Sequence, residues 1–360
     1  MAKAIAKAAA PSVFSLAAIK AQCPAYEALL ERLASSFVAL SEERIGMGAV
    51  GHLSFDGRNG EACIKSAFCR GGETWVVKVA GGFYDNPQQG LPSSVGLMMV
   101  LDQRIGVPRA VLLDEGYLTD LRTALAACVS VKALAPKKAR AIGLVGAGTI
   151  SRLLVSTLHT ATNCRDLRVW ARRAEAAEAL CAEARPKWST AAAASSVAEL
   201  VAETDVIVCC TPSREPLLLA KHLAGRPASA PGLHITALGS DGVGKQEVEA
   251  ALVAQCDLVV PDSLKQCFGF GECAHAKAAG LLAETDAKVV ELGALLSAKV
   301  ELQRSSCKVD ARLTLADSTG VGASDLCIAE AVYCGLVPGA PPLPKAEHRW
   351  KGQAELQSRL

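Results

Sequence analysis

A glycine-rich segment near the middle of the chain carries the clearest chemical signal in the sequence. The segment GAGTIS, with candidate cofactor contacts at Gly146, Gly148, Thr149, Ile150 and Ser151, follows an apolar run and opens a stretch with helical spacing. In that context Gly146 makes a tight turn, Gly148 lets a pyrophosphate approach the backbone, and the small Ser151 permits close helix–strand packing. Free N–H groups at the helix start favour the phosphates. The motif predicts a dinucleotide-binding loop; the alternative is a turn that binds no ligand.

Two arginines follow the next apolar run. The segment VWARR ends in Arg172 and Arg173, at the place where an NAD enzyme usually carries an acid for the ribose 2′-hydroxyl. A guanidinium suits a 2′-phosphate instead. We therefore expect NADP(H) to be preferred, with NAD(H) possible. In the alternative interpretation, the two arginines only solvate the start of a helix.

Alternating strands and helices must position this loop. The pattern predicts strands at Ala141–Val145, Asp166–Trp170, Asp205–Cys210, Leu233–Leu238 and Leu258–Val260, and helices at Ile150–Thr160 and Ala174–Ala184. Strands that alternate with helices imply a parallel sheet with right-handed crossovers.

The first 135 residues have a different pattern. Strand-like runs at Thr74–Val79, Val95–Leu101 and Arg109–Leu113 are separated by turn signals. A helix is predicted over Thr119–Leu134, with Thr119 as its N-cap and a proline at its far end. A later helix, Ser324–Tyr333, is expected to return to this region. The prediction is an α/β protein in which residues 1–135 and 318–360 form a mixed α+β substrate and dimerisation domain, and residues 136–317 form a Rossmann-type domain.

The composition excludes several classes of protein. Lys and Arg total 38 against 36 Asp and Glu, so no basic excess indicates nucleic acid. No apolar run is long enough to span a membrane. The 14 cysteines lack paired CxxC spacing, so we predict neither a zinc site nor disulfides, and we expect Cys209 and Cys210 in a core. These features indicate a cytoplasmic protein with reduced thiols.

Three further segments resemble the signatures of the ornithine cyclodeaminase/mu-crystallin family. They are Glu115–Ala124 (EGYLTDLRTA, followed by LAP), Leu238–Glu247 (LGSDGVGKQE) and Asp317–Gly320 (DSTG). The similarity extends from about Phe14 to Val337. It implies a homodimeric, NAD(P)-dependent enzyme that moves a hydride at the α-carbon of a small amino or imino acid.

The resemblance also implies roles for individual residues. Arg122 corresponds to the arginine that holds the substrate carboxylate, Lys78 to the active-site lysine, and Asp241 to an acid implicated in catalysis. Ser93 stands where relatives have a threonine near the nicotinamide. Further cofactor contacts are implied at Thr211, Gly239 and Ser318.

One departure from the family pattern concerns the substrate. Relatives carry a second carboxylate-binding arginine before the lysine strand, whereas this stretch reads GAVGHLSF, with His52 near the expected place. Lys65 is a candidate for the missing positive charge. The alternative for His52 is a structural, hydrogen-bonded histidine.

The chemistry of an α-imino carboxylate needs residues of these types. A guanidinium holds a carboxylate in a bidentate fork and thereby orients the α-carbon. A lysine in an apolar strand acts as a base or pairs with the carboxylate. An acid such as Asp241 stabilises or deprotonates nitrogen groups, or activates water. In the alternative interpretation, these residues have structural roles only. Arg122 then forms a salt bridge within its helix, Lys78 extends its ammonium group toward solvent, and Asp241 caps a turn.

Two classes of function therefore remain open from the sequence. The first is an enzyme, which either cyclises ornithine to proline with no net redox change or reduces a cyclic imine, a ketimine or an aminated keto acid with NAD(P)H. Arg172 and Arg173 favour the reductive reaction, and the family label favours cyclodeamination. The second is a non-catalytic, NADP(H)-binding dimer with a storage or sensing role. The presence of Lys78, Arg122 and Asp241 favours the enzyme.

Overall fold

The computed structural model describes residues 10–297 and 313–340. Contacts divide the described chain into two compact units. The first contains residues 10–25, 43–119 and 322–340, and the second contains residues 26–42, 120–297 and 313–321.

Seven strands form the sheet of the first unit. They are β1 (Ser12–Ser15), β2 (Ile45–Met47), β3 (Gly51–Phe55), β4 (Gly60–Cys69), β5 (Thr74–Phe83), β6 (Ser94–Asp102) and β7 (Pro108–Leu113). The order is β1-β7-β6-β5-β4-β2, and β3 pairs with β4. The β1–β7 pair is parallel and the others are antiparallel. The sheet is therefore mixed.

One face of this sheet is covered within the unit. The helix α11 (Gly322–Leu336) packs against β2, β4, β5 and β6, and α1 (Leu16–Ala21) contacts β1 and β7. Because side chains alternate along a strand, residues Lys65 and Ala67 of β4 and Val76 and Lys78 of β5 share the buried face. Two lysines thus lie among apolar neighbours under α11.

A second seven-stranded sheet forms the core of the other unit. Its strands are β8 (Ile142–Val145), β9 (Asp166–Trp170), β10 (Thr190–Ala193), β11 (Val206–Cys209), β12 (Leu233–Ala237), β13 (Leu258–Pro261) and β14 (Leu313–Asp317). All pairs in the order β10-β9-β8-β11-β12-β14-β13 are parallel. The central strands are buried throughout, as expected of a parallel sheet covered on both faces.

The helices of this unit complete the Rossmann-like architecture. They are α2 (Tyr26–Ser41), α3 (Tyr117–Leu134, which begins in the first unit), α4 (Thr149–Thr157), α5 (Ala174–Ala184), α6 (Val197–Glu203), α7 (Ala250–Gln255), α8 (Leu264–Phe270), α9 (Glu272–Ala278) and α10 (Leu292–Leu296). Short 3₁₀ turns occupy Asn86–Gln89, Leu158–Thr160 and Ala220–Gly225. The predicted α/β class, with a parallel nucleotide-binding sheet and a second, mixed sheet, is confirmed.

The start of α3 corrects one detail of the sequence prediction. The helix begins at Tyr117, so Thr119 is not its N-cap and lies inside the first turn. The carboxylate of Asp114 accepts a hydrogen bond from the main-chain N–H of Leu118 at 2.7 Å. An aspartate in this capping role satisfies an N–H that has no partner within the helix, so the helix starts two residues earlier than predicted.

The compact units group some elements differently from the predicted domains. Helix α2 and most of α3 belong with the parallel sheet, although both precede residue 135. The boundaries predicted for the two domains therefore stay a prediction. Residues 1–9 and 341–360 of the predicted first domain, and residues 298–312 of the predicted Rossmann domain, lie outside the described residues. Among the described helices, none combines the length and apolar composition that a membrane crossing requires.

Candidate functional site

The glycine loop connects β8 to α4, as its motif predicts. Gly146 has φ +120°, and a Cβ there would lie 2.9 Å from the carbonyl oxygen of Cys210. The N–H of Gly146 donates to the carbonyl of Trp170 at 2.8 Å, which ties the loop to the end of β9. Gly148 is the N-cap of α4, and a Cβ there would meet no atom within 4 Å. The loop thus leaves open space directly at a helix N-terminus, which fits a pyrophosphate.

Ser151 fills the place of the motif's third glycine and closes the loop from behind. Its side chain is fully buried and donates to the carbonyl of Gly146 at 2.8 Å. The Oγ atom also lies 3.0 Å from the sulfur of Cys210. Burial raises the pKa of the Cys210 thiol to about 12, so this cysteine is a neutral packing group. Thr149 is exposed beside Gly148, and Ile150 is half-buried.

Arg172 and Arg173 stand at the expected place beyond β9. Both are exposed, and Arg173 is the N-cap residue of α5. Because the carbonyl of Trp170 bonds the glycine loop, the two arginines follow a strand end that is fixed to that loop. Their position is compatible with contact to a nucleotide ribose or its 2′-phosphate.

Thr211 and Gly239 follow the neighbouring strands β11 and β12. Thr211 N–H and its hydroxyl donate to one carboxylate oxygen of Glu247 at 2.6 and 2.7 Å, and Gly239 N–H donates to the other at 2.7 Å. Burial raises the pKa of Glu247 to about 7, and the Thr211 and Gly239 donors oppose that rise. Two of the predicted cofactor contacts are therefore held by one buried carboxylate.

The DSTG segment at the end of β14 is built around Asp262. The Asp262 carboxylate accepts hydrogen bonds from Ser318 Oγ at 3.1 Å and from Gly320 N–H at 2.8 Å. Gly320 has φ +74°, and a Cβ there would clash with the guanidinium of Arg122. The glycine thus allows the main chain to approach Arg122 closely, and it links the first and third signature segments in space.

Arg122 itself lies in the second turn of α3 and is 5% exposed. A guanidinium buried to this degree is not a solvated surface group. The guanidinium lies against Gly320 of the DSTG turn, which helps to fix its position. A guanidinium can form a bidentate contact with a carboxylate.

Lys78 and Lys65 face each other across β4 and β5. They are direct register partners, 2% and 4% exposed respectively. Lys78 Nζ lies 3.8 Å from a carboxylate oxygen of Asp325 on α11, which is also buried. Like charges opposite each other on one sheet face are unfavourable unless anionic groups compensate them. The sheet therefore holds two ammonium groups where an anionic ligand would be stabilised.

His52 and Ser93 lie at the margin of the same sheet. His52 on β3 is the register partner of Cys63, so it shares the face of Lys65, but it is exposed. Ser93 precedes β6, and its carbonyl accepts the N–H of Phe83 at 2.8 Å. The structure thus brings Lys65 and Lys78 together and leaves His52 nearer to solvent.

Asp241 lies in the turn after β12 and is half exposed. Its carboxylate accepts from Lys245 Nζ at 2.8 Å, and the lysine is almost completely buried. This ion pair sets the position of the acid in the turn. No cluster of His, Cys, Asp or Glu that could hold a metal ion occurs among the residues that the structure describes.

Several polar residues at these positions were missed by sequence reasoning. They are buried acids: Asp114, Glu247, Asp262, Glu272 and Asp325. Glu247 is the last residue of the signature segment LGSDGVGKQE, so its place in that segment was a usable signal. Asp114 caps the helix that begins three residues after it, which is a local contact. Asp262, Glu272 and Asp325 contact groups that are distant in sequence, and only the fold brings them together.

Comparison with known proteins identifies the group to which this architecture belongs. The two sheets and the glycine loop define a dinucleotide-binding protein with a second, mixed domain. The model of the ornithine cyclodeaminase/mu-crystallin family matches residues 15–338. The chain belongs to this family, as its signature segments predicted.

Individual relatives agree with the family model. The chain is 37% identical over 290 residues to an uncharacterized cyclodeaminase of Sinorhizobium fredii, covering 80% of this chain and 84% of that protein. It is 36% identical over 254 residues to the iminosuccinate reductase of Paracoccus denitrificans, covering 70% and 74%. A crystal structure of that reductase in complex with NAD⁺ matches with a TM-score of 0.77 and 30% identity, covering 89% of this chain and 95% of that one. An archaeal alanine dehydrogenase dimer with bound NAD matches with a TM-score of 0.77 at 24% identity, covering 90% and 95%.

Proposed function

We propose that this protein is an NAD(P)H-dependent reductase of a small α-imino carboxylate. As a member of its family, it is a nicotinamide-dependent enzyme of the reductase and cyclodeaminase group that acts on imino or amino acids. Relatives named for net redox reactions favour reduction: an iminosuccinate reductase, an alanine dehydrogenase and pyrroline-2-carboxylate reductases.

The observation that carries the proposal is the buried lysine pair. Lys78 lies opposite Lys65 on the covered face of the first sheet, with the Asp325 carboxylate 3.8 Å from the Lys78 ammonium. Burial of two like charges costs free energy, and a protein that needed only a stable sheet would place apolar residues there. An anionic substrate that these lysines bind explains the arrangement.

Each residue then has a defined task in the reaction. By the family resemblance, Arg122 holds the substrate carboxylate, Lys78 is the active-site lysine, and Lys65 supplies the positive charge that relatives obtain from a second arginine. Asp241 stabilises the charged imine nitrogen or supplies its proton. The bound nicotinamide supplies the hydride. These roles follow from the family resemblance, and the burial and polar contacts of the residues are compatible with them.

The cofactor is proposed to bind at the glycine loop with a preference for NADP(H). Gly146 and Gly148 make room for the pyrophosphate, and Thr149, Ile150 and Ser151 form the start of the helix behind it. The preference rests on the absence of an acid after β9 and on the exposed Arg172 and Arg173. The related solved structures contain NAD⁺ or NAD, so NAD(H) remains the alternative.

One set of assays tests the reaction. The oxidation of NADPH or NADH is followed by absorbance with pyrroline-2-carboxylate, with pyruvate plus ammonia, and with oxaloacetate plus ammonia as a source of iminosuccinate. Ornithine is incubated separately with NAD⁺, and proline is measured. We expect stoichiometric cofactor oxidation with at least one imine. Conversion of ornithine to proline without net cofactor turnover would instead establish a cyclodeaminase.

A non-catalytic, cofactor-binding dimer is the alternative from another class. It would bind NADP(H) tightly and turn over none of these substrates. The acid, arginine and two lysines are all present, which favours catalysis. Homodimerisation is part of the proposal because the family resemblance implies it and a related dehydrogenase forms a dimer; light scattering that shows a monomer at micromolar concentration would contradict it. A cytoplasmic location is likewise proposed.

A further inference from the structure

The carboxylate of Glu247 joins two loops that leave adjacent strands of the parallel sheet. Its side chain is fully buried. One oxygen accepts the N–H and the hydroxyl of Thr211, at 2.6 and 2.7 Å, and the other accepts the N–H of Gly239, at 2.7 Å. Both oxygens of this buried side chain therefore have hydrogen-bond partners from the two loops.

Both loops lie where ligands bind in sheets of this type. They follow the carboxyl ends of the neighbouring strands β11 and β12, and ligands of open α/β sheets bind outside those ends. A Cβ at Gly146 would lie 3.2 Å from Cγ2 of Thr211, so the Thr211 loop packs directly against the phosphate loop. The Gly239 loop continues into Asp241 two residues later. Glu247 therefore connects the phosphate-loop side with the loop of the proposed acid.

The two loops are in close contact at Gly239. A Cβ at Gly239 would clash with the carbonyl of Thr211 and lie 2.6 Å from Cδ of Glu247. Main chain, glycine and carboxylate are thus packed against one another. Because the Glu247 carboxylate bonds both loops, a shift of this group alters its hydrogen bonds to Thr211 or Gly239.

A second buried carboxylate holds Glu247 in place from behind. Glu272, at the start of α9, accepts the N–H of Glu247 at 2.7 Å and the N–H of Val248 at 3.2 Å. It also accepts the hydroxyl of Ser240 at 2.7 Å, one residue before Asp241. Glu247 is therefore fixed at its main chain as well as at its side chain, as a group that must keep a defined position would be.

We propose that Glu247 is a positioning residue that holds the Thr211 and Gly239 loops in the arrangement needed to bind the nicotinamide cofactor and to place Asp241. This inference rests on the proposed cofactor site. Glu247 contacts neither substrate nor cofactor in this role; it acts through the two loops. Pre-organisation of this kind lowers the cost of ordering loops when a ligand binds.

The test compares Glu247→Gln with the matched control Glu249→Gln. Glutamine keeps the size of the side chain but turns one acceptor into a donor, which then faces either Thr211 or Gly239. Glu249 lies two residues away and accepts the N–H of Ala220 at 2.7 Å, away from both loops. For Glu247→Gln we expect the Kd for NADPH or NADH, from nicotinamide fluorescence, to rise by about tenfold to a hundredfold, with a lower kcat. Glu249→Gln should bind the cofactor as the wild type does.

Thr211→Val keeps the test decisive if Glu247→Gln does not fold. It removes only the hydroxyl donor, so the Kd should rise in the same direction by a smaller factor. If Glu247→Gln does fold, the effects of the two substitutions should not add in the double variant. A purely structural role predicts a lower Tm with an unchanged cofactor Kd for the folded protein. That result, or equal Kd and kcat in Glu247→Gln and the wild type, would overturn the positioning role alone. A wild type that binds neither reduced cofactor would overturn the proposed function, and the positioning role with it.

Discussion

Two sets of buried charged groups in this protein are satisfied in different ways. On β4 and β5 of the mixed sheet two lysines are buried, and the carboxylate of Asp325 is a side-chain partner of Lys78. In the parallel-sheet unit two buried glutamates accept main-chain N–H groups: Glu247 from Thr211 and Gly239, and Glu272 from Glu247 and Val248.

The difference has a physical origin. At the end of a parallel strand the main chain turns away from the ladder, and its N–H groups need acceptors that a buried carboxylate provides. Such a carboxylate locks loops. A lysine on a regular antiparallel strand has its main chain already paired, so its ammonium group is not needed to satisfy the main chain of its own strand. We therefore assign the lysines to substrate and the carboxylates to the position of loops. Substitutions at Lys78 and Glu272 test this division, and substitutions at Arg122 and Arg172 test the proposed substrate and cofactor contacts.

The largest effect is expected for Lys78→Met. Loss of a buried charge that binds the substrate should cost about 2–5 kcal/mol of transition-state binding, which lowers kcat/KM on the order of a thousandfold. Steady-state kinetics with the imine substrate measures it. The variant also leaves Asp325 buried beside an apolar side chain, so Tm should fall, and the double variant with Asp325→Asn should recover Tm but not activity.

Lys132→Met is the matched control for this experiment. Lys132 forms a partly exposed pair with Glu31 at 3.4 Å, and such pairs contribute about 0–1 kcal/mol. Its kinetics should match the wild type. If Lys78→Met keeps near-normal kcat/KM, the buried lysine belongs to the fold and the contrast between the two sheets fails.

Arg122→Lys should have the next largest effect. Lysine keeps the charge but loses the bidentate fork that orients the α-carbon, so kcat/KM should fall by at least ~30-fold. Cofactor affinity should barely change, because Arg122 is not in the phosphate loop. Gly320→Ala should act in the same direction, since a Cβ there would clash with the guanidinium. Near-normal activity of Arg122→Lys would make this arginine structural and leave the carboxylate to Lys65 or His52.

Arg172→Asp should reverse or flatten the cofactor preference. An acid at this position accepts the hydroxyls of an unphosphorylated ribose and repels a 2′-phosphate. We expect the ratio of the Kd values for NADH and NADPH to change by about tenfold. The reason is that the substitution removes one hydrogen bond between charged groups, and such a bond has about this effect on affinity. Arg168→Gln, which removes the pair between Arg168 of β9 and Glu203 of α6, should leave the ratio unchanged. Tighter binding of NADH than NADPH by the wild type would already refute the preference.

The smallest effect concerns the pH dependence of stability. Burial, and the nearby Asp317, raise the pKa of Glu272 to about 8, above the ordinary value near 4.3 in an unfolded chain. The folded state therefore holds this proton more tightly, so the stability it contributes is complete below about pH 4 and is lost as the pH rises through about 8. The Tm of the wild type should fall between pH 5.5 and 8.5. The fall for Glu272→Gln should be smaller by a few °C.

The exposed acid Glu284, which pairs with Lys277 at the surface, provides the control. Glu284→Gln should keep the wild-type slope of Tm against pH. Parallel slopes for Glu272→Gln and the wild type would show that this carboxyl titrates normally. The pH dependence of stability would then not come from this buried acid.

Local pattern was sufficient for much of the fold. The strand Asp166–Trp170 and the helix Ala174–Ala184 have the predicted bounds, because their apolar periodicity and flanking residues are complete within a few positions. The antiparallel strands were predicted shorter than they are: β5 continues to Phe83 through two glycines. Glycine signals a turn in a sequence, but cross-strand pairing on both sides keeps it extended here.

The sequence alone determined the family, the dinucleotide loop and the identity of the residues expected to act, because each is recorded in a contiguous segment. Only the tertiary structure decided that Lys65 lies opposite Lys78, that Gly320 packs against Arg122, and that Glu247 joins the loops after β11 and β12. These contacts depend on strand register and on the order of strands in each sheet. A shift of one residue in register would turn Lys65 to the other face, and no local pattern encodes which strand becomes its neighbour.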